Sequence, residues 1–234
     1  MANRLVLAHG FTQTARSWGR FAELLAPAYT LVPIDLPGHG DAAGVHATLE
    51  QAGAMLADAC DGADLLGYSL GARISLHAVL ARPEAVRRLV LIGATPGIED
   101  DEARAARRRR DDALASDAER DVESFLRRWV AAPMFAGLRD PGLEERRQNT
   151  GAGLASSLRL AGTGQQLPLW DRLAEIRAPT LLLAGADDAR FAETAVRMAR
   201  RMPHASASLV PGAGHAAHLD APDTCAAIVR HFLR

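Results

Sequence analysis

The chain has 234 residues, 48% of them hydrophobic, and 27 basic against 28 acidic residues leave a net charge of −1. That length and apolar content suit one α/β domain with a substantial core, and the balanced charge excludes the basic field that nucleic acid or an anionic membrane surface demands. All the basic residues are arginine, so any cationic contact to a substrate must be a guanidinium, which grips carboxylates as a planar fork.

Taken in chain order, short apolar runs alternate with helical spacing. Strands are expected over 4–8, 30–35, 63–68 and 86–93, with helices near 18–26, 48–60 and 70–81 between them. After a break come a strand over 179–184, a helix over 191–201, a strand over 206–210 and a helix over 221–233. Six strands alternating with helices imply a mostly parallel sheet flanked on both faces. Residues 99–165 interrupt the alternation: rich in Arg, Asp, Glu and Ala with helical spacing, they read as a helical cap, leaving 1–98 and 166–234 as the core. Cys60 and Cys225 have neither metal nor disulfide spacing and read as small buried hydrophobes. The N-terminal residues lack a basic-then-apolar leader, and no apolar run nears the roughly 20 residues of a membrane span, so a cytoplasmic protein is expected.

The chemistry-bearing motif is Gly67-Tyr68-Ser69-Leu70-Gly71, set between a strand and a helix. A turn this sharp forces the serine into a strained backbone region, needs small neighbours, and presents the hydroxyl above a sheet at a helix N-terminus. A nucleophilic serine requires a base, and the base an orienting acid. Asp187 and Asp188 follow the strand over 179–184, and His215 ends the loop Pro211-Gly212-Ala213-Gly214. His215, directly after the glycines, is preferred to His218. The order serine, acid, histidine is that of the α/β-hydrolase fold. The strand over 4–8 runs into His9-Gly10-Phe11, so backbone amides of Phe11 and Leu70 are the expected oxyanion donors. Arg73 lies one helical turn beyond Ser69, where a cation is costly to bury without an anion; an internal salt bridge and a substrate clamp are equal readings on physics alone. Arg104, Arg107 and Arg108 share a helix face, and the run 107–110 reads as a solvated charged face paired with nearby acids.

Further stretches carry a resemblance. They are Asp35-Leu36-Pro37-Gly38-His39-Gly40, the motif with Ala72-Arg73, Pro96-Gly97-Ile98, Trp129 with Pro133-Met134-Phe135-Ala136, and Ser157-Leu158-Arg159 with Gly162-Thr163-Gly164-Gln165. With Gly185-Ala186-Asp187-Asp188-Ala189-Arg190-Phe191 and Gly212-Ala213-Gly214-His215-Ala216-Ala217-His218, they span nearly the whole chain. The sequence resembles the 2-succinyl-6-hydroxy-2,4-cyclohexadiene-1-carboxylate synthases of menaquinone biosynthesis. The resemblance implies an α/β-hydrolase fold used by a lyase. Its substrate is 2-succinyl-5-enolpyruvyl-6-hydroxy-3-cyclohexene-1-carboxylate, a small tricarboxylate that loses a ring proton and then pyruvate. It assigns Ser69, Asp188 and His215 as the triad, choosing Asp188 because it stands three residues after Gly185. Arg73 and Arg107 match anion-binding arginines, which turns Arg73 toward the clamp reading. A third match falls at Arg146 or, because 139–151 is shortened, Arg147. Tyr68, Trp129 and Phe135 match pocket-lining positions. No metal or organic cofactor is implied, and a monomer is expected. Ala72 departs from the family's usual second glycine but lies outside the turn motif. The competing reading is a carboxylesterase or lactone hydrolase in which Ser69 is a covalent nucleophile; a pocket for neutral esters has no need of Arg73 and Arg107. A ligand-binding protein without turnover is the third.

Overall fold

A computed structural model describes residues 3–135, 137–138 and 142–234. Ala136, in one of the quoted stretches, and Arg139, at the start of the shortened segment, lie outside the described residues. In chain order the elements are β1 (Asn3–Ala8), α1 (Gly19–Leu25), β2 (Tyr29–Ile34), α2 (Leu49–Cys60), β3 (Ala63–Tyr68), α3 (Leu70–Ala81) and β4 (Val86–Ile92). Then come α4 (Asp101–Arg120), α5 (Val122–Val130), α6 (Leu143–Arg146), α7 (Gly151–Ala161), β5 (Thr180–Gly185), α8 (Ala189–Ala199), β6 (Ala205–Val210), α9 (Ala217–Asp220) and α10 (Pro222–Phe232).

The six strands form one sheet in the order β2-β1-β3-β4-β5-β6, every neighbouring pair parallel. Strands β3 and β5 are buried along their whole length, as parallel strands covered on both faces must be. Side-chain alternation divides the core in two. Val6, Leu65, Leu89 and Leu182 point toward α2, α3 and α8, where Leu56, Leu76 and Met198 meet them. Leu5, Leu7, Leu66, Val90 and Leu181 point the other way, onto Phe21 of α1 and Val229 of α10. Helix α2 begins at a capping box in which Thr48 accepts from the Gln51 amide and Gln51 accepts from the Thr48 amide. Cys60 and Cys225 are buried free thiols.

This topology sets the site. The chain leaves β1 toward β2 and later returns to place β3 on β1's other side, so the loops after β1 and β3 diverge at the carboxyl edge of the sheet. Helices α4 to α7 all lie between β4 and β5 in the chain, and α4 packs along α7. Among the described residues, no helix is long and apolar enough to cross a membrane.

The close approach of α3 to β1 rests on Gly71. A Cβ there would stand 2.0 Å from the Ala8 carbonyl oxygen, while the Gly71 amide donates to the His9 carbonyl at 3.0 Å. Gly71→Ala must therefore push the helix off the strand, and a loss of about 3 kcal/mol is expected. Chemical denaturation checks this; a midpoint within error of wild type would overturn it.

Candidate active site

Ser69 occupies the turn between β3 and α3 with φ 50° and ψ −102°, a strained conformation for a residue with a Cβ. Its hydroxyl does not cap α3; it lies 3.1 Å from His215 Nε2. His215 Nδ1 is 3.0 Å from Asp188 Oδ2, and Asp188 Oδ1 accepts from the Phe191 amide at 3.3 Å, capping α8. The carboxylate makes Nδ1 the donor, which leaves Nε2 free to accept the serine proton. Burial opposes the charge on Asp188, but the His215 hydrogen bond and charge, with the Phe191 amide, hold its carboxyl below the ordinary value. Asp187 is exposed and stands outside this chain of contacts. Gly185 allows the two loops to meet: a Cβ on it would come within 2.0 Å of the Ala213 carbonyl oxygen. The His215 ring is packed by Phe191, with ring centres 4.4 Å apart.

Two backbone amides, of Phe11 and Leu70, form no hydrogen bond among the described residues, and both residues line the cavity above Ser69. The loop carrying Phe11 is braced from below. His9 Nε2 accepts from the Leu36 amide at 3.0 Å, and His39 Nε2 accepts from the Thr12 amide at 3.3 Å. Each ring therefore carries its proton on Nδ1, facing the Gly10 and Pro37 carbonyls respectively. From above, Asn149 Nδ2 donates to the Thr12 carbonyl at 2.7 Å, and Arg146 donates to the Thr12 hydroxyl and to the Phe11 carbonyl. Thr12 is itself held at φ 66°.

Burial pushes His9 down to about 4 and His39 and His218 down to about 3, from an ordinary 6.5. The unfolded chain then binds protons that the folded one refuses. Stability from these three neutral rings is complete above pH 6.5 and is lost as pH falls toward 4, by up to about 1.4 kcal/mol per pH unit for each ring. A melting temperature that falls steeply from pH 7 to pH 5 is expected in a thermal scan; a flat profile over that range would be incompatible with these rings staying neutral.

The cavity above Ser69 has a volume of about 440 Å³. Ser69, Leu70, Arg73 and His215 line its floor, Phe11 and Phe191 its sides, and Arg107, Phe125, Trp129 and Thr163 the part supplied by α4, α5 and the loop after α7. Arg73 is 7% exposed, and among the described residues its guanidinium makes one hydrogen bond, at 3.3 Å, to the neutral Gln166 Oε1. It forms no ion pair among the described residues. Burial, aided by the charge of Arg107, lowers its guanidinium to about 10. Arg107 both faces the cavity and pairs with Asp111, Nε to Oδ1, at 2.7 Å.

Tyr68, Phe135 and Arg146 do not line this cavity. Tyr68 ends β3 on the face opposite Leu65, and its ring packs on His218 at 4.4 Å and against Gly10, where a Cβ would be 2.6 Å away. Arg146, 2% exposed, lies 5.7 Å from the centre of the Phe135 ring, beside the Phe11 loop. Arg147 is turned outward to Glu123 at 2.6 Å. Three arginines absent from the expected set, Arg110, Arg128 and Arg190, stand at the cavity rim. Arg110 belongs to the run read as a solvated face and Arg190 to the stretch Gly185–Phe191 that carries the resemblance, but no sequence pattern marks either of them, or Arg128, as facing a cavity. Among the described residues, no group of three or more His, Cys, Asp or Glu is placed to hold a metal ion.

This architecture places the protein in a class: the chain belongs to the alpha/beta hydrolase family, whose model matches residues 5–228. A thermophilic esterase from Thermogutta terrifontis has the same fold, with a TM-score of 0.84 at 23% identity, covering all of this chain and 90% of that one. Within the class, the chain is a member of the 2-succinyl-6-hydroxy-2,4-cyclohexadiene-1-carboxylate synthase family, and an enzyme. The synthase of that name from Enterobacter sp. strain 638 is 32% identical over 98% of this chain and 91% of its own length. The structure of MenH from S. aureus superposes with a TM-score of 0.90 at 31% identity, covering 99% of this chain and 93% of that one.

Proposed function

We propose that the protein eliminates pyruvate from 2-succinyl-5-enolpyruvyl-6-hydroxy-3-cyclohexene-1-carboxylate to give 2-succinyl-6-hydroxy-2,4-cyclohexadiene-1-carboxylate. The observation that carries the reading is Arg73, a buried cation that shares a cavity with Ser69 and has no anionic partner among the described residues. A cavity for neutral esters gains nothing from a desolvated guanidinium. A substrate with three carboxylates supplies what is missing, and Arg107 in the same wall adds a second fork.

Roles follow from position. Ser69 Oγ takes the ring proton beside the succinyl carbonyl while its own proton passes to His215 Nε2, and Asp188 steadies the resulting imidazolium. The C–H electron pair moves into an enolate whose oxygen lies between the Phe11 and Leu70 amides. Collapse of the enolate forms a double bond from the deprotonated ring carbon to its neighbour, shifts the existing ring double bond one position along, and so breaks the ring carbon–oxygen bond to leave the ring diene. The departing pyruvate enolate takes up a proton from the His215 side, which restores the resting site. Trp129 walls the pocket. Arg146, Phe135 and Tyr68 support it from behind: Arg146 fixes the oxyanion loop, and Tyr68 fills the space beneath Gly10. The helices between β4 and β5 act as the cap.

The test is pyruvate release, followed with the enolpyruvyl substrate generated in place. Release well above the spontaneous rate is expected. None above background, with p-nitrophenyl acetate still cleaved, would instead establish the esterase reading.

A further inference from the structure

Asp111 is a carboxylate 1% exposed to solvent, in the third turn of α4, outside every role assigned above. Each of its oxygens receives one donor. Oδ1 accepts from Arg107 Nε at 2.7 Å, and Oδ2 accepts from the Gly164 amide at 3.0 Å. With Nε committed, the two terminal nitrogens of Arg107 have no partner among the described residues, and Arg107 lines the cavity. The second bond ties down the loop that follows α7. Arg108 holds the Gly164 carbonyl at 3.3 Å, so this glycine is gripped on both sides. The loop lies so flat on α4 that a Cβ on Gly164 would stand 2.3 Å from the Arg108 nitrogen, and one on Gly162 would stand 2.7 Å from Asp111 Oδ2. Gly162 and Thr163 line the cavity beside Arg107.

We infer that Asp111 is a positioning residue for substrate anion binding, presenting the fork of Arg107 and the Gly162–Gly164 loop to the cavity as one unit. The requirement for a carboxylate is strict. An asparagine offers one acceptor oxygen and one NH2, so it can serve Arg107 Nε or the Gly164 amide but meets the other donor with a donor. The charge matters as well. Arg73 and Arg107 repel each other across the wall, and the Asp111 carboxylate behind Arg107 offsets that repulsion, so both cations can stand ready in the empty site. Asp111 touches no substrate in this scheme; it acts through Arg107 and the loop.

The inference rests on the lyase reading, and the experiment separates the two. Steady-state pyruvate release is measured for wild type, D111N, R107A, the D111N/R107A double variant and R107K. For D111N, KM is expected to rise about tenfold while kcat falls by less than about threefold. Because Asp111 works largely through Arg107, adding D111N to R107A should raise KM by less than about twofold more. R107K keeps the charge, but its single Nζ cannot hold Asp111 and reach the cavity together, so its KM should rise about as far as that of D111N. An unchanged KM in D111N, or effects that multiply fully in the double variant, would overturn the inference while leaving the lyase intact. Should D111N fail to fold, R107K decides alone, and a KM near wild type overturns it. Absence of pyruvate release from the wild type defeats the function reading, and this inference with it.

Discussion

Ser69→Ala is expected to lower pyruvate release by at least about 1,000-fold, the range that general acid–base catalysis contributes, while leaving a folded protein that still binds the product. The structure separates these effects. The Ser69 hydroxyl contributes nothing to the start of α3, since it makes no capping bond; its contact is with His215 Nε2. Alanine meets the same backbone demand at φ 50°, held by Gly67 and Gly71, at both of which a Cβ would collide with neighbouring atoms. The melting temperature should therefore stay within about 2 °C of wild type, because no contact to the fold is removed. Product binding should survive because the cations and the two free amides are untouched. Stopped activity in a folded, binding-competent variant assigns the proton transfer to Ser69. Turnover within about tenfold of wild type would remove the serine from the mechanism and leave His215 acting through water. The esterase alternative also predicts an inactive variant, but it predicts a covalent adduct on Ser69 of the wild type. Mass spectrometry of the enzyme during turnover should show none.

How much of this was legible in the sequence depended on whether the controlling interaction was local. The strands and core helices lie within a residue or two of their expected bounds, because period-two and period-3.6 patterns are written into contiguous residues. The helix after β5 begins at Ala189 rather than 191, since the Asp188 side chain accepts the Phe191 amide and caps the helix earlier. Ser69 and His215 could be read from their turns, but Asp187 and Asp188 could be ranked only by resemblance; in space, the exposure of one and the His215 contact of the other separate them. The region over 99–165 was legible as helical but not as the four α-helices its described residues form, nor as holding a buried carboxylate. Its run of arginines reads as a solvated face, and Arg107 is both paired and cavity-facing. Tyr68 and Arg146 show the limit. A matching position in the chain does not say which side of a loop a side chain takes, and Arg146 reaches the Phe11 loop from 135 residues away. Asn149, which joins Thr12 to Gly40, had no signal at all, because the two groups it bridges are backbone groups more than 100 residues away in the chain.

Arg73→Met is expected to cost at least about 100-fold in kcat/KM on the tricarboxylate and, at the same time, to make the empty protein more stable. The two effects share one cause. A guanidinium 7% exposed, with a neutral amide oxygen as its one hydrogen-bond partner among the described residues and another arginine nearby, sits in an environment that disfavours its charge. Folding must desolvate that charge without an anion to offset it, and replacing such a group with an apolar side chain of similar length relieves a cost of about 2 kcal/mol. For a chain of this size that corresponds to a rise of roughly 5 °C in melting temperature. Bound substrate reverses the sign, because a carboxylate against Arg73 turns the same low-dielectric site into a strong charge-assisted contact. The wild type should accordingly gain more thermal stability than Arg73→Met when product is added, and the two melting curves should approach or cross as its concentration rises. A structural salt-bridge role for Arg73 predicts the opposite for the empty protein, a fall in melting temperature on substitution. Melting temperatures of both proteins, with and without product, decide between them. A destabilised variant with undiminished kcat/KM would make Arg73 a strut of the fold and remove the main support for a polyanionic substrate.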